Sequence, residues 1–241
     1  MIFLFIFIHW YLSLFFQTFF LHRYAAHGMI SMSNFWEKVF FVLTWITQGS
    51  SFLNPRAYAV MHRLHHKHSD TKHDPHSPIV INNLVNMMSK TYKIYINILK
   101  DKSRFRELEY KIPRWEKFEK FADNNFTRLL FVVAYSIIYI FYSPSVWFLI
   151  LVPIHGLMGP IHGAIVNWCG HKYGYRNYNL IDNSKNMLPV DIVTMGELLQ
   201  NNHHKHPNDI CFAKKWYEID LGYLFCTALD KMRIIHIKKK D

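Results

Sequence analysis

The sequence predicts an all-α integral membrane protein with three transmembrane helices, one interfacial or re-entrant helix, and a cytosolic helical cap that carries a histidine-rich metal site. Three observations carry this expectation. Long stretches of the 241 residues hold no charge, the 28 Lys and Arg gather between those stretches, and the 16 His fall mainly in four short clusters. With 51% hydrophobic and 17% aromatic residues, a disordered chain and an ordinary soluble globule are excluded.

The elements follow in chain order as a single domain, 1–241. Residues 1–21 contain no Lys, Arg, Asp or Glu. At 1.5 Å per residue they reach about 32 Å, enough to cross a bilayer core. They lack a basic start and a small-residue cleavage site before His22, so they read as a retained anchor rather than a signal peptide. Residues 35–54 form the interfacial helix. Their uncharged core, Val39 to Leu53, is short for a span and carries Thr44, Thr47, Gln48, Ser50 and Ser51. Residues 55–125 are cytosolic. The uncharged run Leu129 to His171 is long enough for two crossings, 126–142 and 146–166, turning at Tyr142-Ser143-Pro144-Ser145. Residues 167–241 return to the cytosol.

Charge sets the orientation. Fourteen Lys and Arg lie in 55–125 and eleven in 166–241, so both polar segments face the cytoplasm by the positive-inside rule. The net charge of +11 fits contact with anionic lipid headgroups. No nucleic-acid recognition motif accompanies it. The site is therefore expected on the cytoplasmic side of the membrane.

The four histidine clusters are His22-Arg-Tyr-Ala-Ala-His27, His62-Arg-Leu-His65-His66, Asn167-Trp-Cys-Gly-His171, and Gln200-Asn-Asn-His203-His204. All four sit on one membrane face if 39–53 does not cross. His62, His65 and His66 project from one side of a helix, as do Asn167 and His171. His22 and His27 are about 140° apart on an α-helix and suit a bridge or a broken helix end. Neutral imidazole ligates iron, zinc and copper. Protonated imidazoles repel and buried ones need partners, so one or two metal ions would resolve the crowding. His9, His155 and His236 stand alone and read as hydrogen-bonded or interfacial residues. His68, His73, His76 and His206 flank the clusters.

Other chemistries are unsupported. The chain has no HExxH, no ExxH pair, no glycine-rich nucleotide loop and no GxSxG elbow. Cys169, Cys211 and Cys226 form no CxxC pair, which argues against a disulfide framework or a thiolate zinc site.

HRYAAH at 22–27, HRLHHKHSD at 62–70, NWCGH at 167–171 and NNHHKHP at 201–207 resemble, in order and spacing, the boxes of the membrane fatty acid desaturases, the acyl-CoA Δ9 type in particular. The short bacterial members look most similar, as in GYRN at 174–177. The resemblance implies two iron ions, cycling between Fe2+ and Fe3+, with O2 as co-substrate. It implies an enzyme that places a cis double bond in a saturated acyl chain carried by CoA or lipid. Electrons would come from a separate donor such as cytochrome b5 or ferredoxin with its reductase. Carried over residue by residue, His22, His27, His62, His65, His66, His171, His203 and His204 are the ligands, and Asn167 contacts one iron directly or through water. Gln200 stands where the family's third box opens with His. Gln200 itself, or His162 given a kink near Gly163, is the candidate substitute. Asp70, with Asp74 and Asp182, is a candidate to hold the far nitrogen of a ligating imidazole. The alternatives are a hydroxylase of the same superfamily and a non-catalytic metal-binding membrane protein.

Overall fold

The computed structural model describes residues 1–101 and 103–238. Helix α1, Ile2–Phe16, runs straight into a π-helix, Gln17–Ala26. Phe3, Leu4, Phe7 and Ile8 stay exposed on its outer side, as a lipid-facing surface requires. Strand β1, Ile30–Ser31, leads to α2, Asn34–Gln48, where the Ser33 side chain accepts from Trp36 N–H at 3.4 Å and caps the start. A 3₁₀ turn, Gly49–Ser51, separates α2 from α3, Pro55–His68. Asn54 caps α3 by accepting from Ala57 N–H at 3.1 Å, and Pro55 occupies the first turn, where no N–H is missed.

Helix α4, Leu84–Lys100, and α5, Glu116–Ala122, precede α6, Asn125–Tyr142, and α7, Val152–Lys172. A 3₁₀ turn, Val146–Leu151, joins α6 to α7. Strand β2, Val190–Asp191, helix α8, Gln200–Lys205, strand β3, Ile219–Asp220, helix α9, Leu221–Lys231, and strand β4, His236–Ile237, follow. Strands β1 and β4 pair antiparallel, with Ile30 opposite Ile237; β2 and β3 pair parallel, with Val190 opposite Ile219. These two-residue pairs were not foreseen from the sequence, because each joins segments far apart in the chain.

Among the described residues three helical segments are long and apolar enough to cross a membrane: Ile2–Ala26, Asn125–Tyr142 and Val146–Lys172. They match the three expected spans, and the first and third run a few residues further. Helix α2 has 15 residues, about 22 Å, and ends at the turn 49–51. That turn is lodged between α6 and α7. The Arg128 guanidinium donates to Ser50 O and Phe52 O, each at 2.7 Å, and Gly159 N–H donates to Ser51 Oγ at 3.3 Å. Gly49 has φ +51°, and a Cβ there would lie 1.7 Å from Tyr135 Oη, so only glycine permits this approach.

The main core is aromatic. Phe16, Phe19 and Phe20 from the first helix pack on Phe40 and Phe41 of α2 and on Phe212 near the far end of the chain. This ties the C-terminal end of the first span to the segment that carries α8.

Candidate metal centre

Each histidine is placed by a local device. In a π-helix the N–H of residue i bonds the carbonyl five residues back, so residues five apart share nearly one face. His27 N–H donates to His22 O at 3.1 Å, and the two rings lie 4.9 Å apart. On α3, His62 and His66 share one side, while His65 is rotated about 100° from His66. On α8, His203 and His204 diverge in the same way. Two buried asparagines hold α8 in place. Asn201 Oδ1 accepts from Asn177 N–H at 2.9 Å and Tyr178 N–H at 2.8 Å; Asn202 Nδ2 donates to Glu218 Oε2 at 2.8 Å and Phe212 O at 2.9 Å.

The eight imidazoles form two groups. His22, His27, His62, His66 and His203 offer nitrogens all within 4.8 Å of one another; His65, His171 and His204 form a second such set. In the first, the Nε2 of His62 lies 2.9 Å from that of His22, 2.7 Å from His27 and 3.0 Å from His66. The Nε2 of His203 lies 3.2 Å from His22 and 3.0 Å from His66. In the second, His65 Nε2 lies 3.2 Å from His204 Nε2, and His171 Nε2 is buried with no hydrogen-bond partner among the described residues.

The far ring nitrogens decide what these contacts mean. His65 Nδ1 lies 3.0 Å from both oxygens of Asp74, His171 Nδ1 lies 3.0 Å from Asp70 Oδ2, and His204 Nδ1 lies 2.9 Å from Asp182 Oδ2. His22 Nδ1 lies 2.6 Å from Glu197 Oε2. At His65, His171 and His204 the carboxylate holds the proton on Nδ1, which leaves Nε2 a bare lone pair. Lone pairs therefore converge from several directions, and they repel unless a cation lies between them. The donor set fits two metal ions of the imidazole-binding kind, iron included.

Electrostatics agree. Burial and the neighbouring imidazoles hold His27, His62, His66 and His203 well below the ordinary histidine range. Burial lowers His204 to about 4 against the opposing pull of Asp182. Burial alone would raise the Asp70 carboxyl, but its bond to His171 outweighs that and holds it at about 2. Asp74 and Asp182 are depressed in the same way by His65 and His204. Burial and mutual crowding thus keep His27, His62, His66, His203 and His204 neutral, while bonds from imidazole keep Asp70, Asp74 and Asp182 ionised, which is the state a metal needs.

The other candidates lie around the clusters. A cavity of about 490 Å³ is lined by His22, His62, Asn167 and Gln200, and continues past Gln17 and His162. Asn167 Nδ2 donates to Gly163 O at 2.7 Å. Gln200 Nε2 donates to Glu197 O at 2.9 Å, and its Cγ lies where a Cβ on Gly170 would be 2.4 Å away. His162 belongs to neither nitrogen group: its ring stands edge-on to Trp10, with centroids 4.3 Å apart. His76 lies tilted against His65, with centroids 4.6 Å apart, and its buried Nε2 has no partner among the described residues. His9 and His155 are not solitary, since their Nδ1 atoms lie 2.6 Å apart and Tyr139 Oη sits 2.8 Å from His155 Nε2.

Sequence reasoning missed Glu197. It also missed the buried Arg23, which bonds Glu197 at 2.9 Å and both Asp220 oxygens at 2.9 Å and lies 4.1 Å over the Phe212 ring. The signal was Arg23 beside His22, a permanent cation at the inner end of an uncharged span, which demands buried carboxylates.

Apolar spans that share one end with two nitrogen clusters define a histidine-rich membrane protein whose imidazoles could hold metal. The chain belongs to the fatty acid desaturase family, whose family model matches residues 1–223. It is 25% identical to a hex-5-enoyl-[acyl-carrier protein] acetylenase of Moorena producens (strain JHB), over 94% of this chain and 73% of that protein. It is 28% identical to an sn-1 stearoyl-lipid 9-desaturase of Synechocystis sp. (strain ATCC 27184 / PCC 6803 / Kazusa), over 84% of this chain and 60% of that protein. It is 26% identical to an acyl-CoA C20 Delta5-desaturase of Anemone leveillei, over 87% of this chain and 64% of that protein. The chain thus spans less than two thirds of the length of the last two relatives.

Proposed function

We propose that this chain is an O2-dependent di-iron fatty acyl desaturase that places a cis double bond in a saturated acyl chain. The observation that carries this reading is the convergence of eight imidazoles from four chain segments, with carboxylates bonded to the far nitrogen of His65, His171 and His204 and Glu197 in contact with that of His22. His22, His27, His62, His66 and His203 would hold one iron, and His65, His171 and His204 the other, with Asn167 and Gln200 facing the same cavity. The irons would supply O2 activation: two hydrogens leave adjacent methylenes, and with two electrons and two protons one O2 becomes two waters.

The protein's part is placement. Asp74, Asp70 and Asp182 fix ring tautomer and tilt, so the nitrogens stay aimed when the metal is absent. The cavity, walled by Met87, Tyr95, Phe52 and Leu53 among others, holds an acyl chain away from water. Methylenes are chemically alike, so the carbon that reacts is chosen by how the chain lies in that cavity.

The narrowest form of the proposal is a Δ9 enzyme acting on acyl-CoA. It is supported by the likeness of HRYAAH, HRLHHKHSD and NNHHKHP to that type. The likeness to short bacterial members, as in GYRN at 174–177, supports a bacterial inner-membrane location, and the basic residues of 55–125 and 166–241 support a site facing the cytoplasm. Electrons would come from a separate donor, cytochrome b5 or a ferredoxin with its reductase.

Expression in a host without unsaturated fatty acids, followed by mass spectrometry of its lipids, tests this. The expected product has lost two hydrogens. A gain of one oxygen would identify a hydroxylase instead. A purified protein that holds a single zinc and changes no acyl chain would overturn the reading.

A further inference from the structure

The cavity that touches the metal cluster is not apolar throughout. His162 and Gln17 line it, at 1% and 6% exposure, and both carry polar atoms without partners. Among the described residues, neither ring nitrogen of His162 has a hydrogen bond, and Gln17 Oε1 has none. Gln17 Nε2 is already committed to Gly159 O at 3.3 Å, which fixes the amide with its oxygen free. Trp10 stands edge-on to the His162 ring and holds its plane.

Their position is definite. His162 is five residues before Asn167 on α7, about 7.5 Å further into the span. Gln17 is five residues before His22 on the first helix. The pair therefore lies beyond the metal end of the cavity, beside Leu14, Gly156 and Gly159. A plain hydrocarbon chain passing this point would leave two buried polar side chains unsatisfied.

We infer that the inner part of this cavity recognises a hydroxyl group on the acyl chain, on the side of the reacting carbons away from the carrier. This rests on the desaturase reading above. A hydroxyl has one donor and two lone pairs. It donates to Gln17 Oε1 and accepts from the N–H of a neutral His162, so the amide oxygen and one of the two ring nitrogens are satisfied at once. A carboxylate does not fit, because neither side chain offers it a cation and the amide oxygen would repel it.

The test feeds octadecanoate and a set of hydroxyoctadecanoates, with the hydroxyl at successive carbons towards the methyl end, to cells expressing the whole protein. Unsaturated products are counted by mass spectrometry. One narrow range of hydroxyl positions should be converted at least about ten-fold better than the plain chain. His162→Leu and Gln17→Leu should each bring the ratio of hydroxylated to plain product down towards one. A wild-type protein that converts the plain chain as well as every hydroxylated isomer overturns the inference and leaves the desaturase reading standing; ordered water alone then satisfies the pair. If neither kind of acid is converted, the desaturase reading fails, and binding decides the hydroxyl claim. In that case the thermal midpoint of the purified, iron-loaded protein should rise more with the preferred hydroxy acid than with octadecanoate, and equal shifts overturn it. The wild-type comparison stands even where a variant fails to fold.

Discussion

The Nε2 atoms of His65 and His204 face each other at 3.2 Å, although Asp74 and Asp182 hold the protons of both rings on the opposite nitrogens. Two lone pairs at that distance are stable only with a cation between them. The protein therefore spends folding free energy on assembling this pair, and metal binding returns it.

This relationship makes the second cluster dependent on His65. Replacing His65 with Ala leaves His171 and His204 as the remaining imidazoles of that set. Metal content measured on purified protein should fall from about two irons per chain to about one, since the five nitrogens around His62 are untouched. Desaturation should be lost while helical circular dichroism is retained. A variant still holding two irons would remove His65 from the ligand set.

The carboxylates act at one remove, so their replacement should weaken rather than abolish metal binding. Asp74→Asn and Asp182→Asn keep shape but offer an amide that no longer enforces the Nδ1–H tautomer. Iron affinity, followed by competition with a chelator, should drop roughly 10- to 100-fold in each. Unchanged affinity in both would show that ring orientation is set by packing alone.

Much of this arrangement was legible in the sequence. The three spans followed from uncharged runs, and the histidine boxes followed from spacing. The division of labour was harder to see. His65 and His66 are adjacent yet serve different clusters, as do His203 and His204, because neighbouring helical residues point about 100° apart. The π-helix was invisible: its hydrogen bonds shift by one residue without any composition signal, yet it alone aligns His22 with His27. Glu197 was missed because its partner lies 175 positions earlier in the chain, beyond the reach of any local pattern.

Acidity should destabilise the metal-free protein early. His27, His62, His66 and His203 are held well below 6.5 by burial and by one another, and His204 is held at about 4. In the unfolded chain these imidazoles take up protons near pH 6.5. Their neutral burial therefore contributes its full stability above about pH 6.5, and that stability is lost as pH falls towards the folded values. Each histidine that stays neutral costs about 1.4 kcal/mol per pH unit below 6.5. Thermal midpoints of the metal-free protein should be level from about pH 7 to 8 and fall steeply from about pH 6.5 to 5. A flat profile across that lower window would mean that the imidazoles titrate normally in the folded state.

Gln200 offers the sharpest test of the second cluster, because that set holds three imidazoles where the first holds five. The Gln200 side chain packs against Gly170, next to His171, and spends its Nε2 hydrogen on Glu197 O, which leaves the carbonyl oxygen as its only donor atom for a metal. Imidazole nitrogen is the better ligand for iron, and histidine is close to glutamine in size. Gly170 provides the room, since any larger residue there would collide with the position 200 side chain. Gln200→His should therefore slow loss of the second iron to a chelator by about ten-fold, with the first iron unaffected. Gln200→Leu, which keeps the packing on Gly170 and removes the oxygen, should speed that loss. If both variants release iron at the wild-type rate, position 200 does not face the metal, and three imidazoles with Asn167 would have to suffice for the second ion.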